Sequence, residues 1–208
     1  MQLTFLISSL LAATALAAPA ALMPRNTTIT TPSTGATQTL YPSLQVRWRS
    51  QDPNTRAKHT NRGHLLSKPN EQVHTAVYFA LSDPSLKGKT CKLVFRLTND
   101  DWIVPGTAGL PAMFDIYRLN GCLNEGYSWG NRIPRGLIIG ELVPKKGSAA
   151  EWLGAGDWEQ DKMEPKMGSA PVWPCELGEY SFEMVAHPGD NIGWESGRKN
   201  GLMIEVSN

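Results

Sequence analysis

The chain has 208 residues, and 20 Lys and Arg nearly balance 19 Asp and Glu for a formal net charge of +1. With a sequence pI of about 7.7, it lacks the concentrated basic character expected of a protein that binds nucleic acid or an anionic membrane. About 190 residues beyond an N-terminal segment amount to one domain, large enough to fold around its own core without a metal.

Met1 to Pro24 carry no charged side chain, and Leu3 to Ala18 form an Ala/Leu-rich apolar run ending in Ala15-Leu16-Ala17. This is the layout of a secretory signal peptide, residues 1–17, cleaved at a small-x-small site. The competing reading is a membrane anchor, which needs about 20 unbroken apolar residues. Ser8, Ser9, Thr14 and Pro19 interrupt the run, no basic cluster follows it, and no later segment is apolar enough to span.

Residues 18–43 are rich in Thr, Ser, Pro and Ala. Such a stretch cannot bury enough apolar area to fold, so a flexible leader is expected. Its hydroxyls suit O-glycosylation, and Asn26-Thr27-Thr28 is the one N-glycosylation sequon of the chain. Residues 44–208 are expected to form the folded domain. Gln51 to Gln72, holding Arg56, Lys58, Arg62 and Lys68, reads as a solvated polar loop, with an anion-binding face as the alternative.

From Val73 onward the pattern is that of strands. Val73–Leu81 and Tyr180–Ala186 alternate, and Lys89–Leu97 places Cys91, Leu93, Phe95 and Leu97 opposite Lys92, Val94 and Arg96. Ala112–Leu119, Gly136–Val143 and Leu202–Val206 continue the series. Asp83-Pro84, Pro105-Gly106, Asn120-Gly121, Pro188-Gly189-Asp190 and Asn200-Gly201 mark turns between them. Only Ser148–Leu153 could form a helical turn. Short strands with regular turn signals predict an all-β antiparallel β-sandwich.

Three cysteines in an oxidising compartment leave one over. Cys91 and Cys175 both sit in strand patterns and are expected to pair. The bridge would close a loop of about 84 residues and contribute roughly 4 kcal/mol in the chain-entropy model. Cys122 is expected to be a free, half-buried thiol at a strand end.

No catalytic residue set emerges. Glu159-Gln160-Asp161-Lys162-Met163-Glu164 has carboxylate spacing seen in some glycosidases. There the intervening residues must be apolar, whereas here they are Gln160, Lys162 and Met163, so a solvated loop is the simpler reading. A glycan hydrolase using Asp157, Glu159, Asp161 or Glu164 stays as an alternative. His59 and His64 are five apart in a polar stretch, which suits neither helical nor strand metal ligation, so no metal or cofactor is expected. No G-x-S-x-G elbow is present. The seven tryptophans are the more informative signal. Trp152 and Trp158 flank a Gly- and Asp-containing loop, where exposed indoles could stack on sugar rings.

Gly88-Lys89-Thr90-Cys91-Lys92-Leu93-Val94-Phe95, Phe114-Asp115-Ile116-Tyr117, Pro174-Cys175-Glu176-Leu177-Gly178 and Gly201-Leu202-Met203-Ile204 follow one another in an order that resembles the fungal But2 C-terminal domain family. The resemblance covers about Val73 to Asn208. Pro174 precedes its cysteine here rather than following it, and Cys122 is additional. The resemblance implies a secreted fungal β-rich domain, cell-wall or surface associated, with no established catalytic residues. The family name refers to binding a subunit of a ubiquitin-like activating enzyme, an intracellular partner that the signal peptide argues against. The expected function is therefore non-catalytic binding of extracellular polysaccharide. A secreted effector that binds a host protein is a further alternative.

Overall fold

The computed structural model describes residues 37–155, 168–195 and 200–208. They form two antiparallel sheets packed face to face, which is the expected sandwich. The first sheet has the order β1 (Gln38–Leu40), β13 (Gly201–Ser207), β5 (Thr90–Arg96) and β10 (Val172–Pro174). The second runs β6 (Trp102–Val104), β12 (Asn191–Glu195), β3 (Arg62–Lys68), β4 (Glu71–Leu81), β11 (Gly178–Ala186), β7 (Phe114–Leu119), β8 (Arg135–Val143) and β9 (Glu151–Ala155). A ninth strand, β2 (Leu44–Arg49), pairs with β4 beside that path. Among the described residues no helix is long and apolar enough to cross a membrane.

Alternation explains the main core. In β5, Cys91, Leu93 and Phe95 point inward; in β11, Tyr180, Phe182 and Met184 do. Leu202, Ile204 and Val206 from one sheet meet Val77, Phe79, Ile116 and Leu142 from the other in a single cluster. Each large apolar side chain buried there contributes about 1.5–3 kcal/mol. Cys91 pairs with Cys175 across 84 residues, tying β5 to the segment after β10. Cys175 itself follows a strand rather than opening one, and β11 begins only at Gly178.

Some elements differ from the sequence reading. Gln38–Leu40, inside the expected leader, pair with β13. The polar stretch Gln51–Gln72 contains β3, because Gly63, Leu65 and Leu66 are buried between charged residues. Ser148–Leu153 forms no helical turn: Glu151–Ala155 is a strand that pairs with β8.

A second, smaller core lies where Val46, Trp48, Ala57, Ala76, Leu119, Leu123 and Ile133 meet. Two connections cover it, residues 50–61 and 120–134. They are tied together by the Ala57 N–H to Tyr127 carbonyl bond (2.8 Å), the Gly130 N–H to Pro53 carbonyl bond (2.8 Å) and the His59 N–H to Glu125 Oε1 bond (2.9 Å).

The second sheet forks at β4. One edge of β4 pairs with β2 from Val73 to Tyr78; the other pairs with β3 at Glu71–Val73 and then with β11 from Thr75 to Leu81. At the fork the Thr75 hydroxyl replaces the ladder. It accepts from the His64 N–H (2.9 Å) and donates to the His64 carbonyl (2.8 Å). Residues 59 and 60 run along β2, through the Val46–His59 bridge and a Thr60 N–H to Gln45 carbonyl bond of 2.9 Å.

Candidate functional site

β2 reads Leu44-Gln45-Val46-Arg47-Trp48-Arg49. Its period of two buries Val46 and Trp48 and sends Arg47 and Arg49 to the opposite side. There the connection after β2 adds Arg56 and Lys58, leaving a cavity of about 340 Å³ between them, with Asp52 and Thr60 also in its wall. Four cations thus face one carboxylate. Among the described residues, none of Arg47, Arg49, Arg56 or Lys58 is in an ion pair. Burial pushes the pKa of the half-buried Arg47 guanidinium down, and the like charges of Arg49 and Arg62 push it further the same way. A cationic groove held under its own repulsion is suited to an anionic ligand.

An exposed indole lies on the far edge strand of the same sheet. Trp102, on edge strand β6, is 42% exposed. Its ring lies across Gly193 of β12, where any Cβ would overlap the indole. Trp102 Nε1 donates to Asn191 Oδ1 (3.2 Å), and His64 Nε2 lies 2.9 Å from the same oxygen. Because Asn191 Oδ1 can only accept, His64 carries its proton on Nε2. The His64 and Trp102 rings meet edge to face at 5.9 Å. Burial lowers the His64 pKa, the Asn191 bond opposes this, and the charges of Arg47 and Arg49 lower it further. His64 therefore touches the indole and feels the charges of Arg47 and Arg49.

A different charge cluster lies under the connection 120–134. Glu183 of β11 is fully buried. Arg135 grips it in bidentate fashion, with Nε 2.7 Å from Oε2 and Nη2 3.1 Å from Oε1. His74 Nδ1 is 2.7 Å from Oε1, and Arg132 Nη1 is 3.8 Å away. Burial alone would raise the Glu183 pKa, but the bonds from His74 and Arg135 outweigh it and hold it at about 2. Burial lowers the His74 pKa despite Glu183. The cluster is thus an ionised carboxylate with a neutral His74 donating from Nδ1. Arg132 lies 4.1 Å over the Trp129 ring, which also packs on His74 at 4.6 Å. Trp129, Arg132 and Arg135 open onto a second cavity of about 430 Å³.

Of the residues singled out in the sequence, Trp152 needs correction. It is only 5% exposed and packs in the main core, its ring over Gly140 and its strand position opposite Leu142. No indole face remains there for a sugar. Trp158, Asp157, Glu159, Asp161, Glu164 and Asn26 lie outside the described residues. Cys122 is free but exposed rather than half-buried. Its thiol donates to Glu179 Oε2 (2.7 Å), a bond that raises its pKa. Arg47, Arg49, Trp102, Arg132, Arg135, His74 and Glu183 were not foreseen. Arg56 and Lys58 belong to the polar stretch for which an anion-binding face was the alternative reading; the Arg47-Trp48-Arg49 alternation was the further signal that could have pointed to the groove.

Fold and site together define a two-sheet β domain with a cationic, aromatic-flanked surface. The chain belongs to the But2 family: the family model described as Ubiquitin 3 binding protein But2 C-terminal domain matches residues 40–151, more than half of its length. The match begins before Val73 and stops at the first residue of β9, so it takes in the groove but not Cys175 or the final strand. No curated protein matches the chain at a significant level.

Proposed function

We propose that this protein is a secreted, non-catalytic binding module for acidic polysaccharide of an extracellular surface such as a fungal cell wall. The observation that carries the reading is the groove of Arg47, Arg49, Arg56 and Lys58, four cations around the single carboxylate of Asp52 that form no ion pair among the described residues. Carboxylate, phosphate or sulfate groups along a glycan would supply ion-pair partners, and guanidinium forks suit such oxyanions. The exposed ring of Trp102 offers a stacking face for a neighbouring sugar, with His64 and Asn191 beside it. This replaces Trp152 as the aromatic element. Secretion rests on the signal-like residues 1–17.

The test is co-sedimentation or calorimetry of the purified protein with an acidic polymer (polygalacturonate) and with neutral chitin, β-glucan and cellulose, while released sugar is measured. Binding to the acidic polymer that weakens with salt, without release, is expected. Release of sugar would overturn the non-catalytic reading and direct attention to Asp157–Glu164. Equal, salt-independent binding to the neutral polymers would overturn the acidic one. A protein partner is the second reading, favoured by Val104 and Leu110, exposed large hydrophobic residues on and after β6. An absence of binding to every polymer would move the search there.

A further inference from the structure

We propose that Asp115, Glu141 and His187 form a binding site for one divalent transition-metal ion, zinc being the first choice. This departs from the expectation, drawn from histidine spacing alone, of no metal.

Asp115 of β7 and Glu141 of β8 are direct cross-strand partners. Like charges placed opposite one another in a ladder are destabilising, so the pair calls for a cation between them. His187, the residue after β11, provides the third donor. Its Nε2 lies 3.2 Å from Asp115 Oδ1 and 3.4 Å from Glu141 Oε1, and one ligating atom from each residue falls within 4.8 Å of the others. A zinc ion with ligand bonds of about 2.1 Å in tetrahedral geometry requires ligand–ligand edges of roughly 3.4 Å. The two histidine edges already have that length, so the carboxylate oxygens need move little to close on an ion.

The donors stand on rigid backbone. The His187 N–H donates to the Met113 carbonyl (3.0 Å) and its own carbonyl accepts from the Asp190 N–H (3.0 Å). Asp190 in turn takes the Gly106 N–H (2.6 Å) and the Met113 N–H (2.8 Å) on its two carboxylate oxygens. Gly189, at φ 88°, packs against Gly106 and completes this tight turn. The Tyr117 hydroxyl donates to Asp115 Oδ2 (3.2 Å), which orients the carboxylate and leaves Oδ1 toward His187. All three donors are half-buried, so an ion there keeps a solvent-facing position.

One imidazole and two carboxylates favour zinc or manganese over magnesium and calcium, which prefer all-oxygen sets. The alternative is that His187 bridges the two carboxylates by itself, with no metal. The experiment separates the two. The full mature chain carrying Cys122→Ser, which removes the exposed thiol as a competing ligand, is stripped with chelator and titrated with zinc, manganese and magnesium at neutral pH. One zinc per chain is expected, with magnesium far weaker. Glu141→Gln, Asp115→Asn and His187→Gln should each weaken zinc at least tenfold. Glu141→Gln keeps the size of the side chain and relieves the carboxylate repulsion, so it should fold at least as stably as the parent without metal, and zinc should raise the thermal midpoint of the parent only. Absence of saturable zinc binding, or parent-like affinity in Glu141→Gln and His187→Gln, would overturn the site and leave the bridged triad without a metal.

Discussion

Two groups of arginines on this domain teach opposite lessons. Around Glu183, Arg135 and His74 meet a fully buried carboxylate at hydrogen-bonding distance, and Arg132 stacks on Trp129. Around Arg47, the cations of β2 and the following connection face each other without an ion-pair partner among the described residues. The first arrangement ties β4, β11 and the connection to β8 together, so its charges serve the fold. The second leaves repulsion uncompensated, which is the basis of the proposed anion binding. The contrast predicts that stability will depend on the first cluster and ligand binding on the second.

The largest expected effect is at Glu183. Glu183→Gln leaves two guanidiniums half-buried without their anion, and truncating one partner of such a cluster costs about 3–5 kcal/mol. Urea denaturation should show the loss as a lower midpoint. A change below about 1 kcal/mol would mean that the cluster is not structural.

Acid should dissect the same cluster. The Glu183 pKa is held at about 2 when folded, against an ordinary 4.5. A lowered carboxylate pKa gives stability that is present above about pH 4.5 and is lost as pH falls toward 2, by roughly 3 kcal/mol in all. His74 has a lowered pKa relative to 6.5. The unfolded chain takes up its proton first, so stability also begins to fall as pH drops below about 6.5. Stability measured from pH 8 to 3 should therefore decline in two stages; His64, whose pKa burial also lowers, adds to the earlier one, which His74→Gln should shrink but not abolish.

Smaller effects are expected at the groove. Arg47→Glu should weaken binding of an acidic polysaccharide at least tenfold in calorimetry while leaving stability within about 0.5 kcal/mol, as for most surface substitutions. Trp102→Ala should cost binding about 0.5–1.5 kcal/mol, the scale of a specific aromatic contact, and little stability because the ring is already half in water. Loss of stability comparable to that of Glu183→Gln at either position would break the comparison.

The sandwich and the Cys91–Cys175 bridge were legible because alternation over Lys89–Leu97 and Tyr180–Ala186 is a local signal. The strand at Arg62–Lys68 was not, since its pattern of charged ends and buried Leu65 and Leu66 lacks clean alternation, and its pairing with β12 is remote in sequence. Trp152 misled because a Gly-rich context suggests a loop, whereas Gly140 across the strand pair makes room for the indole inside the core. Glu183 looks like an ordinary outward residue of an alternating strand. Only the connection 120–134, folded back over that face, buries it. Charge pairing of this kind depends on residues over a hundred positions apart, His74 and Glu183 among them, and no spacing rule reveals it.

The most direct test of the central claim compares binding of the parent and of the Arg47→Glu, Arg49→Glu double variant to polygalacturonate at low and high salt, with folding checked by thermal denaturation. The account predicts tight binding by the parent at low salt, steep weakening at high salt, and near-complete loss in an equally stable variant. Undiminished binding by the variant would contradict it.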